Sequence, residues 1–154
     1  MKLAVFVVGK GGCAWADEAV EDYARRTKRW GGISEMAVKA ELFRGDVEAV
    51  RNAESERTLK ALGERDRLWV LDERGDDLDT SELTSAIKQG RETGIPRMVF
   101  AIGGAYGHGA LTRVRAHRVI RLSSMVLNHE VARVVLYEQL YRAMAAIHGT
   151  PYAH

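Results

Sequence analysis

Two unbroken apolar runs, KLAVFVV at residues 2–8 and RMVFAI at 97–102, constrain this chain more than any other feature. A strand with one wet face alternates apolar and polar residues, whereas these do not, so both of their faces need cover. That is the demand of a parallel sheet with helices packed on both sides. RLWVL (67–71) predicts a third strand with DERGDD (72–77) as its exit turn. ISEMAVK (33–39) predicts a weaker, half-exposed strand, and Val119 to Arg121 a short fifth one. Helical patterns fill the intervals. One runs from Trp15 to Arg29, with Trp15, Ala19, Tyr23 and Ala24 on one side, and Gly31-Gly32 ends it. A second starts at an Asp46 cap, continues to Leu62 and is anchored by Val47, Val50 and Leu59. A third follows a Thr80 or Ser81 cap and stops near Gly94-Ile95-Pro96. Ala110 to His117 is a short helix and Val131 to His148 the longest. Alternating strands and helices predict one α/β domain over residues 1–154.

The last helix carries more apolar surface than a sheet face can cover. Val131, Val134, Val135, Leu136, Leu140, Ala143, Met144 and Ile147 wrap around more than one side of it. A second subunit docked on this helix is the economical partner, which predicts a homodimer. Nothing approaches the roughly 20 apolar residues that cross a bilayer. The opening MKLAVFVVGKGG loses its apolar character after Val8, too soon for a secretory leader. The lone Cys13 excludes an internal disulfide and fits a reducing cytoplasm. The net charge is only +2, but six arginines (113, 115, 118, 121, 133 and 142) face Glu130 and Glu138 in the C-terminal third. Such a segment suits an anionic partner such as RNA, and suits a solvated face equally well.

Familiar catalytic signatures are missing. Gly9-Lys10-Gly11-Gly12 follows the first strand but has neither Walker spacing nor a GxGxxG pattern. The five histidines (108, 117, 129, 148 and 154) show no metal-ligand spacing, and no GxSxG elbow is present. Asp76-Asp77 lies in a polar run and reads as solvated. What remains is three strand exits, at Leu71-Asp72, Gly103-Gly104 and Leu122 to Asn128. Open parallel sheets bind ligands beyond the carboxyl ends of their strands. Gly103-Gly104 either admits a flat ligand to the backbone or makes a tight turn.

MKLAVFVVGK, VLDERG (70–75), FAIGGAYG (100–107), LSSMVLNHEVARVVLYEQLYRA (122–143) and the PY of TPYAH stand in an order and spacing that cover nearly the whole chain. In these pieces the chain resembles the RlmH or YbeA-like proteins, SPOUT-class methyltransferases that modify N3 of a pseudouridine in 23S rRNA of the large ribosomal subunit. The resemblance implies a C-terminal trefoil knot, a homodimer formed through the last helix, and S-adenosylmethionine (S-adenosyl-L-methionine) held by backbone groups. Carried over, the cofactor cradle is Leu71, Asp72, Gly103, Gly104, Gly107, Leu122, Ser123, Ser124, Met125, Val126, Leu127 and Asn128. Catalytic candidates are His129, Arg142, Tyr152 and His154, with Arg133 and Arg142 as RNA contacts. His129 is the best base by chemistry, and it can equally cap its helix or touch RNA. Asn128 and Glu130 stand where relatives commonly carry prolines around this histidine. No metal is implied. A ribosome-binding protein without transfer activity is the main rival; a nucleotide-binding domain without RNA sits badly with the arginines.

Overall fold

The computed structural model describes residues 1–9 and 11–152, so the expectation for His154 falls outside the described residues. Five parallel strands form one sheet in the order β2-β1-β4-β3-β5: β1 (Lys2–Val8), β2 (Ile33–Val38), β3 (Arg67–Asp77), β4 (Arg97–Ile102) and β5 (Arg118–Arg121). Helices α1 (Ala14–Thr27), α2 (Val47–Lys60), α3 (Thr80–Glu92), α4 (Ala110–Arg115) and α5 (His129–Ile147) connect or follow them.

The two apolar runs lie side by side at the sheet centre, with Val5 opposite Phe100. Their odd and even positions feed two separate cores. Leu3, Val5 and Val7 join Phe100 and Trp69 under α1, α3 and α5, where Val20, Leu83, Ile87, Leu136 and Leu140 meet them. Ala4, Phe6, Val99 and Ala101 face the other way, toward Val38, Leu62 and Ala116. Each fully buried Val, Leu or Phe contributes ~1.5–3 kcal/mol, which explains why these runs tolerate no polar residue.

Three expectations need correction. DERGDD is not a turn, because β3 continues through it to Asp77. Ile120 of β5 is the register partner of both Leu71 and Asp76, so residues 72–75 are accommodated around a single residue of β5. Gly75 permits this approach: a Cβ there would lie 2.5 Å from the Ile120 carbonyl carbon. On α1 the buried face is Ala16, Val20 and Thr27, and Trp15 is 56% exposed. The third helix is capped by Asp79 in a reciprocal box with Glu82, one residue before the expected Thr80.

The premise of the homodimer argument also changes. Much of the broad apolar surface of α5 is met inside the chain, where α1 and α3 flank it on the sheet, although Val131 stays 38% exposed. Tyr23 of α1 packs 5.8 Å from Tyr141, and Thr80 of α3 donates a 2.7 Å hydrogen bond to Gln139. Burial alone therefore does not require a second subunit. No helix among the described residues is long and apolar enough to cross a membrane.

Candidate functional site

Because all strands run parallel, β4 and β5 end at one edge of the sheet, beside the bulge of β3 that follows Leu71. Their exits converge on a single cleft of about 700 Å³, within the range of small-molecule sites. All the expected cradle residues line it except Ser124 and Asn128. Ser124 is exposed. Asn128 caps α5, accepting from the Glu130 amide at 2.9 Å.

Each exit has its own construction. After β4, Gly104 to Gly107 form a tight turn closed by the Gly107 amide donating to the Gly104 carbonyl at 3.0 Å. A Cβ on Gly103 would lie 3.1 Å from both the Gly107 carbonyl carbon and His108 Cδ2. On Gly104 it would lie 2.7 Å from Glu54 Oε2 and 3.1 Å from Val8 Cγ1. A Cβ on either glycine would therefore press on neighbouring protein, which supports the tight-turn reading. Beneath them His108 is buried, its Nε2 3.2 Å from the Ala101 carbonyl. Burial pushes its pKa down to about 4, so the ring is neutral near neutral pH.

After β5, residues 122–128 adopt neither helix nor strand. Ser123 Oγ accepts from the Met125 amide at 3.0 Å, turning the chain so that Met125 and Val126 stand 73% and 76% exposed beside the cleft. After Leu71, the Asp72 carboxylate accepts from the Arg74 amide at 2.9 Å and pairs with Arg113 at 2.5 Å. Burial by itself would raise its pKa, but the Arg74 amide, the Arg74 side chain and Arg113 outweigh it and hold the carboxyl below its ordinary range.

These lining groups suit S-adenosylmethionine. Leu71, Ile102, Leu122 and Met125 to Leu127 give an apolar wall for an adenine, and exposed turn backbone gives hydrogen-bonding groups. Asp72 offers a charge to an ammonium or sulfonium. Arg113 lines the cleft and brings a positive charge there, with its Nη2 on Asp72 and its buried Nε without a hydrogen-bond partner among the described residues.

The catalytic candidates do not sit together. His129, the first residue of α5, lines the cleft. Arg142 lies 13 positions further along the same helix, roughly 20 Å away at ~1.5 Å per residue. There it pairs with Glu138 at 2.6 Å and stacks on Tyr152, whose hydroxyl donates to Glu138 at 3.1 Å. The Tyr152 phenol is pushed up to about 12, by burial first and then by Tyr23 and Glu138. Arg133 has a different occupation from the RNA contact expected. It is buried, and it binds Glu35 at 2.6 Å, Asp17 at 2.6 Å and Glu130 at 3.3 Å. A guanidinium committed to three carboxylates ties α1 and β2 to the start of α5, and is not free for phosphate.

Arg113 and Arg121, read from the sequence only as part of a basic segment, line the cleft; so do Arg51 and Tyr106, which the sequence does not single out, and Glu54 lies buried against Gly104. Burial raises the Glu54 pKa; its Oε1 accepts from the Glu41 amide at 3.2 Å, and Oε2 has no partner among the described residues. The one available signal was position on α2: Val50, Glu54, Ser55 and Thr58 form its buried side, a polar face that hydrophobicity patterns do not mark.

Similarity to known proteins gives the family of the chain. The family described as "Predicted SPOUT methyltransferase" matches residues 1–154. The chain is 41% identical to the ribosomal RNA large subunit methyltransferase H of Geobacter metallireducens, covering all of this chain and 99% of that one. It is 42% identical to the protein of that name from Geobacter sulfurreducens and 39% to the one from Geotalea uraniireducens, covering 100% of both partners in each pair. The chain belongs to the SPOUT methyltransferase family.

Proposed function

We propose that this protein methylates N3 of a pseudouridine in large-subunit (23S) rRNA, using S-adenosylmethionine and acting on the ribosome as a homodimer in the cytoplasm. The observation that carries the reading is the convergence of the β4 and β5 exits and the β3 bulge on one cleft whose wall, charges and backbone suit the cofactor. The relatives' names, all large-subunit rRNA methyltransferases, support the substrate class.

S-adenosylmethionine, when bound, supplies a methyl group already activated by its sulfonium. Leu71, Leu122 and Met125 to Leu127 hold the adenosine, with the 103–107 turn backing it. Asp72 and Arg113 orient the charged end. His129, at the cleft edge, accepts the proton that N3 gives up as the nitrogen becomes a nucleophile. Alignment of N3 behind the methyl group is the larger contribution, since position alone converts a bimolecular step into an effectively unimolecular one.

Arg142 and Tyr152 reach this cleft only from a second subunit, because their own α5 carries them roughly 20 Å away from His129. With Arg142 and Tyr152 assigned to this cleft, that distance calls for a homodimer, and the exposed Val131 on α5 suits one as well. A C-terminal trefoil knot is what membership of this family implies for the fold. Calorimetric titration with S-adenosylmethionine, followed by incubation of the labelled cofactor with ribosomes from a strain lacking the modification, tests the reading. Saturable binding and transfer of label are expected. Absence of binding would sink it, and binding to ribosomes without transfer would favour a non-catalytic ribosome-binding role.

A further inference from the structure

Beside the cleft stands a pair of aromatic rings that folding leaves uncovered. Phe43, between β2 and α2, is 53% exposed, and Tyr106, at the tip of the turn after β4, is 38% exposed. Their centroids lie 5.5 Å apart at an interplanar angle of 33°. Large aromatic side chains are normally driven inside, so two of them paired in solvent call for an explanation.

The pair is braced from α2. Arg51 Nε donates to the Tyr106 carbonyl at 2.7 Å. On the Phe43 side, Arg57 donates to the Lys39 carbonyl at 3.0 Å and pairs with Glu41, whose amide is held by Glu54. The nearby carboxylates are engaged: Glu48 by Arg51, Glu41 by Arg57, and Asp46 as the cap of α2. Arg44 is exposed and has no ion pair among the described residues. Tyr106 also lines the cleft, together with Arg74 and Arg121. Arg51, Arg57, Arg74 and Arg121 are themselves paired with carboxylates, which leaves Arg44 as the cation beside the rings without an ion pair among the described residues. An exposed π-face with such a cation at the mouth of the cleft matches the way proteins hold single-stranded RNA, with bases on rings and phosphates on guanidinium groups.

We propose that Phe43 and Tyr106 form a stacking platform for an unpaired base of the RNA substrate, next to the nucleotide that enters the cleft. This rests on the RNA-methyltransferase reading above. It adds a recognition surface that separates substrate binding from cofactor binding.

The test compares wild type with Phe43→Ala, Tyr106→Ala and Phe43→Trp on ribosomes lacking the modification. Cosedimentation measures ribosome affinity, labelled transfer measures KM and kcat, and calorimetry measures S-adenosylmethionine affinity. Each alanine change should weaken ribosome affinity and raise KM by about tenfold, with kcat at saturation retained for Phe43→Ala. Phe43→Trp should restore affinity, because stacking needs only an aromatic face. Unchanged ribosome affinity in both alanine variants would overturn the proposal. So would a fall in cofactor affinity for Phe43→Ala, which would make the ring a cofactor wall, or dissociation of the subunits, which would make it a subunit contact. Wild type that binds ribosomes through Phe43 yet transfers no label would leave the platform standing and remove the methyltransferase reading instead.

Discussion

At Gly104 the chain is crowded from within. The position of a Cβ is occupied by Glu54, whose buried carboxyl also holds the Glu41 amide. Gly104→Ala is expected to cost about 1–3 kcal/mol of stability and to weaken S-adenosylmethionine binding, because the turn or the carboxyl must shift. Shortening the neighbour by Glu54→Asp should make the same alanine cheaper, and a denaturant-based double-mutant cycle measures that coupling. His108 makes a second prediction. Its folded value of about 4 lies below the ordinary 6.5, so the unfolded chain binds the proton more readily. His108 therefore lowers stability as pH falls from 6.5 toward 4, and imposes no penalty above that window. Urea unfolding should show wild type losing about 2 kcal/mol more than His108→Gln between pH 7 and pH 5. Equal losses would mean that the ring is accessible to solvent. These two residues also show what was legible. The glycines of GGAYGHG announce a turn, but nothing in the sequence says that Glu54, fifty positions earlier, is what fills the space beside one of them.

Among the elements, the central strands were readable because double-sided burial removes every polar residue from β1 and β4 between their first residues and their ends. The far half of β3 was not. Glu73, Arg74, Asp76 and Asp77 are polar because they run exposed around Ile120, and pairing imposed by a distant strand leaves no period in the local pattern. For α5 the apolar breadth was read correctly, but its cause was assigned to a second subunit when α1 and α3 supply much of the cover. Arg133 was assigned by residue type, and its three carboxylates come from α1, β2 and α5 itself. Arg133→Ala is accordingly expected to lower stability by about 2 kcal/mol through lost charged hydrogen bonds, with little change in ribosome affinity. Thermal unfolding and cosedimentation together decide this; a loss of ribosome affinity at unchanged stability would return Arg133 to the RNA.

On the scale of the whole molecule, the distribution of catalytic candidates matters most. His129 borders the cleft while Arg142 and Tyr152 cluster with Tyr141 at the other end of α5. If each site is shared between two subunits, His129→Ala and Arg142→Ala are each inactive alone, and co-refolding or subunit exchange restores part of the activity. A mixed dimer then carries one intact site and one doubly damaged site. No recovery on mixing would place all the chemistry within one chain. The central claim is narrower: that the cleft at the ends of β4 and β5, beside the β3 bulge, directs a methyl group to N3 of one pseudouridine. Ribosomes lacking the modification, incubated with the protein and methyl-labelled S-adenosylmethionine, should yield labelled N3-methylpseudouridine when their large-subunit RNA is digested and resolved by mass spectrometry. Leu71→Asp and Val126→Asp should abolish the label. Label on any other nucleoside, or none from a wild-type protein that binds both cofactor and ribosome, would contradict the account.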